Sequence, residues 1–265
     1  KFMEGDIRSL ETCRKACEGA DYVIHQAALG SVPRSLEQPL LYNENNITGT
    51  LNMLIAAKEA GVKSFVFASS SSVYGDTEVL PKVETMIPNP KSPYALGKIT
   101  GEYYCRIFTE EYGLPTVILR YFNVFGPRQD PKSQYSAVIP KFITSFLKNE
   151  SPVIYGDGEQ TRDFTYVENV VKANLLACDA PKEVWGKPIN IGCGSRVSIN
   201  MLAKIIKDLT KSSAEIRYED PRPGDVKDSL ADITIAKEKL GLTDYISLEQ
   251  GLEKTVAWYK EQLGL

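Results

Sequence analysis

The chain has 265 residues, 43% of them hydrophobic and 25% charged, which suits one large or two modest globular domains and excludes a disordered or fibrous chain. Lys+Arg 31 against Asp+Glu 34 leaves a net charge of -3, so there is no basic excess to draw nucleic acid or an anionic membrane, and any bound anion must be held by a local cluster. No stretch approaches the ~20 apolar residues that span a bilayer, and the opening Lys1 to Leu10 is too charged for a signal peptide, so a cytoplasmic protein is expected.

In chain order, Lys1-Phe2-Met3-Glu4-Gly5-Asp6 reads as a strand. The apolar run Tyr22–His25 reads as the next. Residues 46–60 carry Ile47, Leu51, Leu54 and Ile55 at helical spacing and stop at Gly61, which predicts a helix with a glycine end. A strand over 65–68 follows, then a helix over Pro93–Tyr112 ending at Gly113, then a strand over 117–121. Short apolar runs alternating with helical patterns predict an α/β fold, a doubly wound Rossmann-like parallel sheet with helices on both faces. Beyond Gly126, Pro127, Pro131, Pro140 and Pro152 break the pattern, and helices such as Val138–Leu147 alternate with turns like Gly156-Asp157-Gly158. This predicts a smaller α/β lobe, comprising 124–163 and about 193–265, beside a sheet domain of 1–123 plus about 164–192. Pro188–Ile191 is expected to return to the main sheet, and Leu248–Leu263 to close the fold with Leu248, Leu252, Val256 and Tyr259 on one face.

Cys13, Cys17, Cys105, Cys178 and Cys193 form no C-x-x-C pair and no spacing with a histidine that would cage zinc, so reduced thiols and no metal are expected. His25, the only histidine, sits inside an apolar strand run and reads as a structural, hydrogen-bonded residue rather than a catalyst.

Each strand is followed by small or polar residues: Gln26-Ala27-Ala28, Ser69-Ser70-Ser71-Ser72, and Asn123. In open parallel sheets ligands bind at that edge. Tyr94 and Lys98 stand four apart near a helix start, hence on one face, and an ammonium beside a phenol lowers the phenol's pKa from ~10 toward neutrality. Ser70, 24 residues earlier at a strand tip, can hydrogen-bond the same substrate oxygen that the tyrosine deprotonates. The three predict a proton-handling site.

Three strings occur in order: Ser69-Ser70-Ser71-Ser72-Val73-Tyr74-Gly75-Asp76, Ser92-Pro93-Tyr94-Ala95-Leu96-Gly97-Lys98, and Leu119-Arg120-Tyr121-Phe122-Asn123-Val124-Phe125-Gly126-Pro127-Arg128. Gly5-Asp6-Ile7 and His25-Gln26-Ala27-Ala28 precede them; Gly156-Asp157-Gly158-Glu159-Gln160-Thr161-Arg162-Asp163-Phe164 and Arg222-Pro223-Gly224-Asp225 follow. Over nearly its whole length the chain resembles the nucleotide-sugar epimerase branch of the extended short-chain dehydrogenase/reductase family, most of all its UDP-N-acetylglucosamine 4-epimerases. The resemblance implies NAD as cofactor, a UDP-sugar substrate, a homodimer through helices 46–60 and 93–112, and a place in polysaccharide biosynthesis. It implies Tyr94 as base, Lys98 also on the nicotinamide ribose, and Ser70 on the sugar's 4-hydroxyl. Asp6 and Ile7 would flank the adenine, and Ala27, Ala28 and Phe122 would line the cofactor. Asn123, Arg162 and Arg222 would bind the diphosphate and Asp225 the uridine ribose, with Gly30, Ser31, Ser71, Ser72 and Ser229 about the sugar.

Among the reactions the resemblance implies, dehydration needs an acid and base where this chain has Ser71 and Ser72, and hydroxyls do not serve as either near neutral pH. A decarboxylase is disfavoured by Ser72, where that branch usually keeps a glutamate. What remains is 4-epimerisation of a UDP-hexose. Ser229 stands where some relatives carry a bulky tyrosine, and Ala28-Leu29-Gly30-Ser31-Val32-Pro33-Arg34-Ser35 resembles the loop of the subgroup acting on UDP-N-acetylglucosamine, so acetamido sugars are the expected substrates. UDP-glucuronate is the alternative. Members of this family begin with a βαβ unit carrying a G-x-x-G-x-x-G turn, which this sequence does not contain; an idle nucleotide-sugar-binding protein is therefore the rival expectation.

Overall fold

The computed structural model describes residues 1–130, 138–221 and 227–265. Helix α1 (Leu10–Cys17) starts at Ser9, whose hydroxyl accepts the Thr12 N–H, and leads to strand β1 (Tyr22–His25). Helices α2 (Val32–Glu37) and α3 (Pro39–Tyr42) run through a wide π-type turn, Asn43–Thr48, into α4 (Gly49–Ala60). The helix expected over 46–60 thus begins earlier and is interrupted. At the interruption the Asn46 amide is diverted to the Leu29 backbone, accepting its N–H at 2.8 Å and donating to its carbonyl at 3.0 Å. Gly61 ends α4 at φ 67, as its position in the sequence suggested.

Strand β2 (Ser64–Ser70), helix α5 (Pro93–Tyr112) and strand β3 (Thr116–Tyr121) follow, with Ser92 capping α5 and Gly113 closing it at φ 71. Next come β4 (Val124–Phe125), α6 (Val138–Leu147), β5 (Val153–Tyr155), β6 (Thr161–Arg162), β7 (Thr165–Tyr166) and α7 (Val167–Cys178). The chain finishes with β8 (Pro188–Ile191), β9 (Val197–Ser198), α8 (Ile199–Thr210), β10 (Arg217–Glu219), α9 (Thr234–Leu240) and α10 (Leu248–Leu263).

Among the described residues the main sheet has the order β1-β2-β3-β8 and every neighbour is parallel. Such a sheet must be covered on both faces, which is why β2 is buried from Ser64 to Ser69 without alternation. One face carries α1, α4 and α5 over Cys13, Leu54, Phe65, Phe67 and Phe108; the other carries α7 and α9 over Val66, Leu119, Ala173, Ile189 and Ala236. The fold is therefore the expected Rossmann-like α/β arrangement, and β8 does return to the sheet.

A further core of Phe142, Phe146, Ile154, Leu202 and Leu252 gathers α6, β5, α8 and α10, with Phe164 from the segment between β6 and β7. On the last helix Leu252, Val256 and Tyr259 are buried as its periodicity required. One boundary differs from the sequence reading: α9, expected in the smaller lobe, packs on β8 and α7 through Ala236 and Leu240. Another difference is Lys1-Phe2-Met3-Glu4-Gly5-Asp6, which is coil rather than strand, with Phe2 90% exposed. A strand needs a ladder neighbour for its backbone groups, and no described residue pairs with this segment.

Candidate active site at the carboxyl edge of the sheet

Ser70 ends β2, and in the register of the sheet it lies beside Tyr121 of β3, two residues before Asn123. Its hydroxyl accepts the Ser72 N–H at 3.2 Å, which starts the short turn Ser71–Tyr74 and fixes both following serines at the sheet's edge. From the helix side, α5 brings Tyr94 to the same point, close enough for the Ser70 hydroxyl to act on the pKa of its phenol. Helix and strand come this close because Gly101 faces Phe67: a Cβ there would lie 2.4 Å from Phe67 Cζ. Ser70, Tyr94 and Lys98 are thus brought together as their spacing implied.

The electrostatics differ from the expectation that Lys98 would lower the phenol's pKa. Burial instead raises the Tyr94 pKa, and the opposing influence is the Ser70 hydrogen bond. Lys98 Nζ donates to the Ala68 carbonyl at 2.6 Å and lies 5.9 Å from the centre of the Tyr94 ring. Burial pushes the Lys98 pKa down to about 8, against the pull of Glu102 one turn further along the helix. Two desolvated groups each resist charging, so the bare site holds a neutral phenol beside an ammonium that is near its titration point. His25, beneath them, is a neutral core residue: its Nε2 lies 3.1 Å from Thr50 Oγ1, and burial holds its pKa at about 3.

Around this centre, Ser71 is half-buried, and Ser72 Oγ is buried with no hydrogen-bond partner. Ser31 caps α2 and lies close enough to Tyr42 to act on its pKa; the sequence reading missed Tyr42, which in turn raises the Tyr94 pKa. Gly30 is exposed with open space at its Cβ position. Gln26, Ala27 and Ala28 form the exposed tip after β1; the Gln26 amide donates to Tyr121 and Asn174, and the two alanines carry only methyl groups that let a ligand lie against the backbone. Asp6 is exposed and paired with Arg8 at 2.6 Å, while half-buried Ile7 rests on Gly49 of α4. Phe122 departs from its expected role. Its ring is 0% exposed, packed with Val73, Tyr74 and Ile99, so its side chain meets no ligand.

A cleft of about 1230 Å³ adjoins the edge on the side of the second lobe, with Phe142, Ile154 and Tyr155 as apolar walls and Asn123, Gln160 and Arg162 as polar ones. The apolar walls Phe142, Ile154 and Tyr155 carry no sequence signature of a site, whereas Asn123 and Arg162 were singled out by their strings. Asn123 adopts φ 31 and its amide donates to the Asp163 carbonyl at 2.9 Å and lies 3.4 Å from Ser229 Oγ, joining the two lobes. Arg162 donates to the carbonyls of Thr161 at 2.9 Å and Lys227 at 3.1 Å. Asp163 holds the junction from below, accepting the N–H groups of Cys193, Gly194 and Ala231, and burial raises its pKa to about 6. Arg222 and Asp225, expected on the diphosphate and the ribose, lie outside the described residues. Among the described residues no group of acids, cysteines or histidines is placed to hold a metal, and no helix is long and apolar enough to cross a membrane.

Known proteins share the fold. A UDP-N-acetylglucosamine 4-epimerase from Methanobrevibacter ruminantium, solved with UDP-N-acetylmuramic acid, superposes with a TM-score of 0.93 at 46% identity, over 98% of this chain and 83% of that one. A UDP-glucose 4-epimerase from Thermotoga maritima, solved with UDP-glucose, gives a TM-score of 0.94 at 41% identity over 99% and 85%. A UDP-glucuronic acid 4-epimerase from Bacillus cereus, solved with UDP-glucuronic acid and NAD, gives 0.90 at 33% over 99% and 82%. A family model described as the NAD dependent epimerase/dehydratase family matches residues 1–192, the stretch that holds β1, β2, β3, β8 and the Ser70-Tyr94-Lys98 centre. By sequence, fold and the placing of that centre, the chain belongs to the NAD dependent epimerase/dehydratase family, within the extended short-chain dehydrogenases/reductases.

Proposed function

We propose that the protein is an NAD-dependent UDP-hexose 4-epimerase, and the observation that carries this reading is the meeting of Ser70, Tyr94 and Lys98 at the sheet edge beside the cleft. Tyr94 removes the proton of the sugar's 4-hydroxyl while Ser70 holds that oxygen by a hydrogen bond. Lys98 supplies positive charge as the phenolate forms. Bound NAD would supply reversible hydride acceptance at carbon four of the sugar, so that its return to the other face of the carbonyl would give the epimer. The exposed Ala27 and Ala28 that follow β1 suit the cofactor's nicotinamide end, and Asp6 and Ile7 its adenine end. In the cleft, Phe142, Ile154 and Tyr155 suit a nucleobase, while Arg162 and Asn123 suit the diphosphate. The partnerless hydroxyl of Ser72 and the hydroxyls of Ser71 and Ser31 offer the sugar small polar contacts, as a ring that must turn over requires.

For the hexose, the small hydroxyl of Ser229 beside Asn123 supports a 2-acetamido sugar. Turnover of UDP-N-acetylglucosamine to its galacto epimer is expected, with kcat/KM above that for UDP-glucose and UDP-glucuronate. A substrate panel read by chromatography of the products checks both levels: a preference for an unacetylated sugar overturns the assignment of Ser229, and no 4-epimer from any UDP-hexose in the presence of NAD overturns the enzyme reading in favour of a nucleotide-sugar-binding protein.

The same reading includes a homodimer in the cytoplasm. Leu96, Tyr103 and Ile107 are 51%, 49% and 40% exposed and follow one stripe of α5, an apolar face that a second copy would cover. Light scattering of the purified protein should give twice the chain mass, and a monomer would contradict the assignment. The five cysteines are free, as a reducing compartment favours.

A further inference from the structure

Glu102 and Arg120 form an ion pair inside the protein, with side chains only 5% and 3% exposed. The pair is bidentate: Arg120 Nε donates to Glu102 Oε1 at 2.9 Å and the terminal nitrogen to Oε2 at 2.7 Å. The guanidinium also donates to the Glu84 carbonyl at 3.3 Å and lies 4.8 Å from the centre of the Tyr74 ring. Stability alone is a poor reason for such a pair, because the desolvation of two charges offsets most of their attraction and well-packed apolar residues often serve as well.

Its place in the fold suggests another reason. Tyr94, Lys98 and Glu102 are successive residues of one helical stripe, four apart, and each reaches the last three residues of β2. Tyr94 lies within reach of Ser70, whose hydroxyl acts on its pKa, Lys98 Nζ donates to the Ala68 carbonyl, and the Glu102 carboxylate accepts the Ser69 hydroxyl. We propose that Glu102 is a positioning residue of the proton-handling site: clamped by Arg120, its carboxylate fixes the end of β2 that carries Ser70 and supplies the negative charge that keeps the Lys98 ammonium in place.

The surroundings of Lys98 leave few other candidates for that charge. On α5 it faces Glu102 and the Tyr94 ring; on β2, the Phe67 ring at 5.3 Å and the Ala68 carbonyl; on β1, His25, which is neutral. Glu102 is the group that raises the Lys98 pKa against burial. Without it the ammonium keeps one carbonyl and two ring faces, and the neutral amine becomes the favoured form at lower pH.

Only the catalytic readout rests on the epimerase reading. The test compares the wild type with the double variant Glu102→Gln/Arg120→Met, which removes both charges while keeping an acceptor for Ser69. Titration of Lys98 by NMR of isotopically labelled lysine should show its midpoint lowered by about one pH unit or more, and this holds whether or not the protein turns over a sugar. The high-pH limb of kcat for the UDP-hexose should move down by the same amount while KM stays within about twofold. An unmoved Lys98 midpoint in a folded double variant overturns the proposal and leaves the pair as a core contact. A wild type with no turnover but a shifted midpoint would sink the epimerase reading and spare this one. Should the double variant not fold, Ser69→Ala carries the test: it cuts only the link from Glu102 to β2, and kcat should fall about tenfold with KM unchanged, whereas an unchanged kcat overturns the positioning role.

Discussion

Replacing Tyr94 with phenylalanine should lower turnover of the UDP-hexose by about 10²–10⁴-fold, the range of a lost general base, while UDP binding stays within about twofold of wild type. The asymmetry follows from the geometry. The phenol oxygen faces Ser70 at the sheet edge, whereas the cleft residues suited to the nucleotide, Arg162, Asn123 and Phe142, belong to other elements. The ring itself is half-buried against Lys98, and phenylalanine preserves that packing. Turnover assays beside calorimetric titration with UDP check both halves; a variant that keeps near wild-type turnover would remove Tyr94 from the mechanism. The same centre sets the response to pH. Lys98 has a depressed pKa of about 8, so its ammonium is present below that value and lost above it, and wild-type kcat should decline as pH rises through about 8.

The second large effect concerns stability. Glu102→Leu alone should destabilise the fold by about 3–5 kcal/mol, because it leaves the Arg120 guanidinium buried on β3 with a carbonyl and a ring for company. Adding Arg120→Met to the same chain should recover most of that loss, since two charges removed together leave no unpaired ion. Denaturant unfolding of the single and double variants measures the difference. If the single change costs less than about 1 kcal/mol, the pair is not the desolvated bridge described above.

Much of this was legible in the sequence where the signal is local. Gly61 and Gly113 marked helix ends because the left-handed turn after a helix favours glycine, and both residues adopt it. The trio of Ser70, Tyr94 and Lys98 was legible because a strand tip and a four-residue helical spacing point side chains in known directions. What escaped depends on residues far apart in the chain. Glu102 and Arg120 meet across 18 residues and two elements, and nothing in either neighbourhood names the partner. The Tyr94 pKa runs against the sequence expectation because burial is a property of the packed site, and Lys98 is drawn to the Ala68 carbonyl. The break before α4 was missed because an asparagine that bonds a distant loop looks like any helix residue in a periodic pattern. Phe122 sat in the right string, yet the turn between β3 and β4, where Asn123 adopts φ 31, leaves the neighbouring ring in the core.

The central claim is that the Tyr94 phenol starts oxidation at carbon four of the sugar. Rapid mixing of the protein, supplied with NAD, against UDP-N-acetylglucosamine, with absorbance of the reduced nicotinamide followed in time, tests it most directly. The account predicts a transient in the wild type and its disappearance in Tyr94→Phe; a transient of equal size in that variant would contradict it.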